Sequence, residues 1–351
     1  MKKKFLQTIR FLAFLGLSVL LLYFAFRGID FTQVKEVIFH AEYGWILFSF
    51  VFSILAFLSR ARRWVISIEA LNRKPSLWNT YHSMMFGYLA NFAFPRIGEI
   101  TRCVSLSRRE KIPVDALIGT VILERALDLF MLLLIMITLL LARFQKFGAF
   151  FSDFIFTPLR NKISTTFGDT LIFWSATALI FLALALLGYI YRNKLYRFHV
   201  VTRGRDFIKG IVEGLKTIFR MEKKWEFIFH TFFIWFNYIL MTWIVVFALP
   251  GITDHLTFMD GVFLLVIGGM GMSAPVQSGL GAFHWIVSRG LIFVYFIPKD
   301  EAVAFATLQH SSQMLLILFL GSISMLFLFL KNKRNAAGTV QPVKPSEHGT
   351  S

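Results

Sequence analysis

Eight stretches of this 351-residue chain run for 14 or more residues without a charged side chain: 11–26, 43–59, 75–95, 129–142, 170–191, 227–253, 261–288 and 302–330. A helix needs about 20 mostly apolar residues to cross a hydrocarbon core, and several of these stretches qualify as they stand. Inside a bilayer each backbone N–H and C=O must be satisfied within the protein, which makes spanning helices the expected structure. Composition agrees: 56% of residues are apolar and 16% charged, against about 45–50% and about 25% in a soluble domain. A disordered chain, poor in apolar residues and rich in charge, is excluded on the same ground.

Two stretches are interrupted. Residues 75–95 lead into Phe94-Pro95-Arg96-Ile97-Gly98-Glu99, and residues 261–288 contain Gly268, Gly269, Gly271, Pro275, Gly279 and Gly281. Proline removes a backbone donor and glycine weakens a helix, so neither segment reads as one straight span. Broken backbone at membrane depth is tolerated where protein or a watery cavity surrounds it. Both are read as re-entrant helical hairpins, with breaks at Pro95 and Gly98 and at Pro275, Gly279 and Gly281.

The remaining stretches give six spans, at about 9–26, 43–59, 116–142, 170–191, 227–249 and 305–330. Lys2, Lys3, Lys4 and Arg10 resemble the charged start of a signal peptide. No small-residue cleavage site follows Phe26, so the first span is expected to be retained. Six spans with two re-entrant hairpins place 27 Lys and Arg on one side and 7 on the other. The positive-inside rule then makes the rich side, and both termini, cytoplasmic. The net charge of +17 is thereby a signal of topology, and nucleic acid is not an expected partner. The fold class is an all-α polytopic membrane protein: six transmembrane helices plus two inverted re-entrant hairpins, in a bacterial inner membrane. Interrupted segments paired in this way point to a transporter's binding site.

Six ionisable residues fall within the membrane set: Arg96, Glu99, Glu124, Arg125, Asp128 and Arg289. Such groups cost about 2.5–3.5 kcal/mol each on insertion scales, so they pair or line a polar cavity. Arg125 and Asp128 are three apart and share a helix face, as do Glu124 and Asp128 four apart. Arg96 or Arg289 is the expected counter-charge, and a purely structural network pinning the hairpins is the competing reading. Arg60, Arg62, Arg63 and Trp64 read as interfacial anchors, able also to attract anionic headgroups. His284 reads as a satisfied core residue or a headgroup contact. Gln309, His310, Gln313, Asn91, Asn237 and His82 read as polar glue between helices.

Residues 203–226 place Phe207, Ile208, Ile211, Val212, Leu215, Ile218 and Phe219 on one helical face with basic residues around the rest. This is the pattern of an amphipathic helix on the cytoplasmic surface. Residues 1–334 form one transmembrane domain, and 335–351 read as a disordered tail. Cys103 is the single cysteine, so no intrachain disulfide forms. The sequence has no recognisable nucleotide-binding, metal-binding or nucleophile motif, and no cofactor or metal is expected.

Arg60-x-x-Arg63-Trp64, Asn91-x-x-x-Pro95-x-x-Gly98-Glu99-x-x-Arg102, Glu124-Arg125-x-x-Asp128 and Pro275-x-x-x-Gly279-x-Gly281 follow one another along the chain. In this ordered set the chain resembles the lysylphosphatidylglycerol synthase transmembrane-region family, also called flippase-like domain proteins, over about residues 5–330. The family's best-known members make aminoacylated phosphatidylglycerol with a separate soluble domain and carry it across the membrane. No such domain lies within these residues, so the resemblance implies translocation without aminoacyl transfer, and not an enzyme. For such a translocating domain, headgroup contacts are expected at Arg96, Glu99, Arg102, Glu124, Arg125, Asp128, His284 and Arg289. The implied partners are membrane lipids, anionic phospholipid or a lipid-linked substrate, with a homo-oligomer also open. Relatives often carry a glutamate just after the second break, where this chain has His284, so a carboxylate for a cationic headgroup is missing. The alternatives are a lipid-modifying membrane enzyme with Glu124 or Asp128 as base, and a non-transporting subunit in envelope biogenesis.

Overall fold

The computed structural model describes residues 30–93, 97–157, 221–253, 256–274 and 276–338, with Gly16, Val19, Leu22, Tyr23 and Gly28 before them. Among the described residues there is no strand. The helices of nine or more residues are α1 (Phe31–Phe39), α2 (Tyr43–Glu69), α3 (Leu77–Ala93), α4 (Ile97–Glu110), α5 (Val114–Phe151), α6 (Lys224–Ile244), α7 (Phe258–Ser273), α8 (Ala282–Tyr295) and α9 (Lys299–Gly338).

Four stretches are long and apolar enough to cross a membrane: Tyr43–Glu69, Val114–Phe154, Lys224–Ala248 and Lys299–Leu330. They coincide with four of the six expected spans. The span at 170–191 and most of the amphipathic 203–226 segment lie outside the described residues. Of the first span, Gly16, Val19, Leu22 and Tyr23 are described, and all four are helical. The last helix continues to Gly338, beyond the expected start of the tail. Along α5, Leu129, Phe130, Leu133, Ile137 and Leu141 stand exposed, as do Leu315, Phe319, Leu326 and Phe329 on α9. Large apolar faces of this kind are absent from soluble surfaces and are what lipid covers. The protein is a multi-pass membrane protein.

Hydrogen bonds between elements sort the helix ends into two sets. At one end Arg62 of α2 bonds Glu226 of α6 (2.6 Å) and Lys223 bonds Glu69 (2.8 Å). At that same end Glu110 accepts from Asn79 (2.6 Å) and from Ser76 N (3.2 Å), and Arg109 donates to the Leu328 carbonyl. At the other end Glu42 N donates to Ala248 O (2.8 Å), Asp30 N to Asp300 (3.3 Å) and Lys146 to Asp260 (2.8 Å). The end set by Arg62, Glu69, Arg109 and Lys223 belongs to the segments dense in Lys and Arg.

Both interrupted stretches form antiparallel helix pairs. In the first, α3 stops at Ala93 and α4 begins at Ile97; Pro95 and Arg96 lie outside the described residues. The pair packs backbone to backbone: a Cβ on Gly87 would stand 2.6 Å from the Gly98 carbonyl, and a Cβ on Gly98 would collide with the Gly87 carbonyl. Asn91 Oδ1 accepts from Gly98 N (2.7 Å), satisfying a donor at the start of α4. The Ser76–Glu110 bond closes this pair at the Lys- and Arg-rich end.

The second pair, α7 and α8, closes at the opposite end, where Tyr295 donates to Asp260 (2.9 Å). Its turn needs left-handed backbone at three positions: Ser278 (φ 47°), Gly279 (φ 75°) and Gly281 (φ 83°). Pro275 itself lies outside the described residues. Gly281→Ala is expected to cost about 1–3 kcal/mol through this backbone conformation, read as a lower unfolding temperature in detergent. Gly271 permits the crossing, since a Cβ there would lie 2.8 Å from Phe283 Cα. The two pairs are thus inverted, and the turn of the second packs on α3 of the first. There His310 of α9 bonds Ser278 O (2.9 Å), and Ser53 of α2 donates to Gln313 (2.9 Å).

Candidate functional site

The ionisable residues of α5 meet arginines from two other helices. Arg60 and Arg63 are three apart on α2 and point to one side of it. Arg60 Nη2 bonds Glu124 Oε1 (3.1 Å) and Asp128 Oδ2 (2.9 Å). Arg63 Nη2 bonds Glu124 Oε1 (3.2 Å) and Asp128 Oδ1 (2.7 Å). From α4, Arg102 Nη2 reaches Glu124 Oε2 (2.8 Å). Arg125 closes the group on Asp128 at 3.1 Å. Tyr238 of α6 accepts from Arg60 Nη1 at 2.9 Å. One cluster therefore ties together α2, α4, α5 and α6.

The setting is dry on one side and open on the other. Side-chain exposure is 0% for Arg63 and 2% for Arg102 and Glu124, but 16% for Asp128 and 42% for Arg125. The Arg102 guanidinium lies over the Trp64 ring, 4.7 Å from its centroid, and Trp64 Nε1 donates to Thr120 (2.9 Å). The indole thus fixes the plane of Arg102, a stacking that guanidinium groups favour.

Charge does not balance. Four arginines face two carboxylates, an excess of two positive charges. Five buried guanidinium nitrogens have no hydrogen-bond partner among the described residues: Arg60 Nε, Arg63 Nε and Nη1, and Arg102 Nε and Nη1. Buried donors are ordinarily satisfied, and an unmet donor on a charged group is costly. The cluster has donors and positive charge to spare, and both carboxylates are already engaged by guanidinium groups. Phosphate, with several acceptor oxygens and negative charge, complements such a set. The carboxylates serve poorly as a general base, because Glu124 accepts from three arginines and Asp128 from three.

A family model described as the lysylphosphatidylglycerol synthase TM region matches residues 11–321. The chain belongs to this family. A UPF0104 membrane protein of Methanocaldococcus jannaschii is 23% identical over 321 residues, covering 87% of this chain and 90% of its own length. No solved structure matches the chain significantly.

In this family member Arg102, Glu124, Arg125 and Asp128 come together as the sequence indicates, whereas the expected counter-charges do not. Arg289 stands exposed on α8, beside a different cavity, and Arg96 lies outside the described residues. The counter-charges are Arg60, Arg63 and Arg102. Arg60 and Arg63 read as interfacial because the uncharged run stops at residue 59. The helix in fact runs to Glu69, which buries Arg63 six residues and Arg60 nine residues inside its end. Their i,i+3 spacing was the available signal; Tyr238 carried none. Glu99 is half-buried in the first turn of α4 and makes no ion pair among the described residues. His284 is buried near the turn of the second pair, edge-on to His310 with ring centroids 4.9 Å apart. Among the described residues no three His, Cys, Asp or Glu side chains converge as a metal site.

Proposed function

We propose that the protein moves an anionic phospholipid or a lipid-linked phosphate between leaflets of the bacterial inner membrane, with both termini cytoplasmic. In this reading the two inverted helix pairs are re-entrant, and the headgroup phosphate binds at the arginine cluster. The observation that carries it is three buried arginines against two carboxylates, an excess of one buried positive charge, with five unmet guanidinium nitrogens among them. A purely structural ion network would balance its charge, because an uncompensated buried ion costs several kcal/mol. The exposed edge at Arg125 supplies a way in from the Lys- and Arg-rich end, where anionic headgroups also concentrate. Transport rather than catalysis is favoured because the carboxylates are already held by arginines.

Reconstituted proteoliposomes with a fluorescent phosphatidylglycerol test this through dithionite access to the outer leaflet. Exchange faster than in protein-free vesicles is expected. Arg102→Lys keeps the charge and removes the planar fork, so exchange should fall about tenfold or more per folded molecule. Exchange equal to empty vesicles for phosphatidylglycerol, cardiolipin and an isoprenoid phosphate would refute the proposal.

A further inference from the structure

At the opposite end of α5 a second basic site is built on an apolar wall. Lys146 of α5 and Arg289 of α8 border one cavity of about 560 Å³, with Phe154, Ile292, Phe293 and Phe296 among its walls. A volume of this size falls in the range of small-molecule sites. Arg289 is exposed and has no partner among the described residues. Lys146 is held in place: its ammonium bonds Asp260 Oδ1 (2.8 Å) and lies 4.6 Å from the Tyr295 ring centroid.

The carboxylate bonded to Lys146 does not oppose an anion strongly. Asp260 is 1% exposed, and its two oxygens already accept from Lys146, Tyr295 and the Thr257 N–H and hydroxyl. Lys146 is matched by Asp260, and the Arg289 charge is left over among the residues that line the cavity. Phe296 is the left-handed C-cap of α8 (φ 56°), its N–H bonded back to Ile292 O, and at 87% exposed it stands at the rim of the cavity.

Lys146 lies 18 residues after Asp128 along α5, about 27 Å by helical rise along a helix bent at Arg143 (φ −142°, ψ 39°). The two basic sites therefore lie toward opposite ends of α5. We infer that the Lys146–Arg289 cavity binds one anionic glycerophospholipid of the second leaflet, its phosphate between the ammonium and the guanidinium and an acyl chain along Phe154, Phe293 and Phe296. Two cations above an aromatic wall suit a group charged at one end and apolar at the other. This binding does not require transport and is tested apart from it.

The test uses the full-length protein in phosphatidylcholine nanodiscs doped with phosphatidylglycerol carrying a diazirine on its acyl chain. Crosslinks are expected in the peptides holding residues 146–154 and 289–296, with phosphatidylcholine carrying the same diazirine labelling them several-fold less. Arg289→Gln should lower phosphatidylglycerol labelling about tenfold, the scale of one charge-assisted hydrogen bond, while Arg289→Lys retains most of it. Arg289 is exposed and unpaired, so neither change threatens folding. Equal labelling by both lipids, or no response to Arg289→Gln, would reduce the cavity to ordinary lipid contact and overturn the inference. Displacement of the lipid by millimolar inorganic phosphate would also overturn it, in favour of a free-anion site. Leaflet exchange could fail with this labelling intact, or persist with it lost, so the two proposals fall separately.

Discussion

Glu124→Gln is expected to destabilise the protein by about 3–5 kcal/mol, the cost of leaving buried charge without its partner. Glu124 accepts from Arg60 and Arg63 at Oε1 and from Arg102 at Oε2. The amide keeps the shape and loses the charge, and its NH2 would point a donor at guanidinium donors. With Glu124 gone, Asp128 alone would face four arginines. Heating in detergent followed by size-exclusion chromatography should show a much lower melting point and a small folded yield. The double variant Glu124→Gln/Arg102→Leu removes one of the stranded cations, and it should recover part of the loss. The coupling between the two changes should be about 0.5–3 kcal/mol, as for residues in one ionic network. Strictly additive losses would show that Arg102 and Glu124 do not act as a pair.

The second large effect is expected at Gly98. A Cβ there meets the Gly87 carbonyl and stands 2.6 Å from Asn91 Oδ1. Neither obstacle is the free end of a flexible chain, because Gly87 O is backbone and Asn91 Oδ1 is engaged with Gly98 N. Gly98→Ala must therefore push α4 away from α3, at about 1–3 kcal/mol or more for overpacking. Arg102 follows Gly98 by one helical turn, so the displacement also draws its guanidinium off Glu124, now at 2.8 Å. Stability and lipid exchange should fall together. Gly119→Ala on α5 is the matched control. A Cβ there meets nothing within 4 Å, and alanine favours the helix by about 0.5–1 kcal/mol. Equal melting points for the two variants would contradict the packing described at Gly98.

Much of the architecture was legible because the bilayer imposes a one-dimensional rule. Length and apolarity place the helices at 43–59, 116–142, 227–249 and 305–330, and each is present with shifted ends, at Tyr43–Glu69, Val114–Phe151, Lys224–Ile244 and Lys299–Gly338. The helix ends were misread where charge entered the span. Arg60 and Arg63 follow an apolar run, and on the sequence a run stops at its first charge. In the folded chain the helix continues because Glu124 and Asp128, more than 60 residues away, neutralise those charges inside the protein. The second break was legible at Gly279 and Gly281, where the backbone takes positive φ; Gly98, expected at a break, instead lies inside α4 and serves its close packing on Gly87.

The sequence by itself determined that this chain lives in a membrane, that two of its segments are broken, and where its cationic excess gathers. Those properties depend on local hydropathy and backbone chemistry, which near neighbours in the chain set. Only the tertiary structure decided which charges meet. Arg60, Arg63 and Arg102 converge on Glu124 while Arg289 turns away to join Lys146. Pairing across helices depends on how α2, α4 and α5 cross, and that is fixed by packing such as Gly87 against Gly98, between residues whose partners sequence spacing does not name.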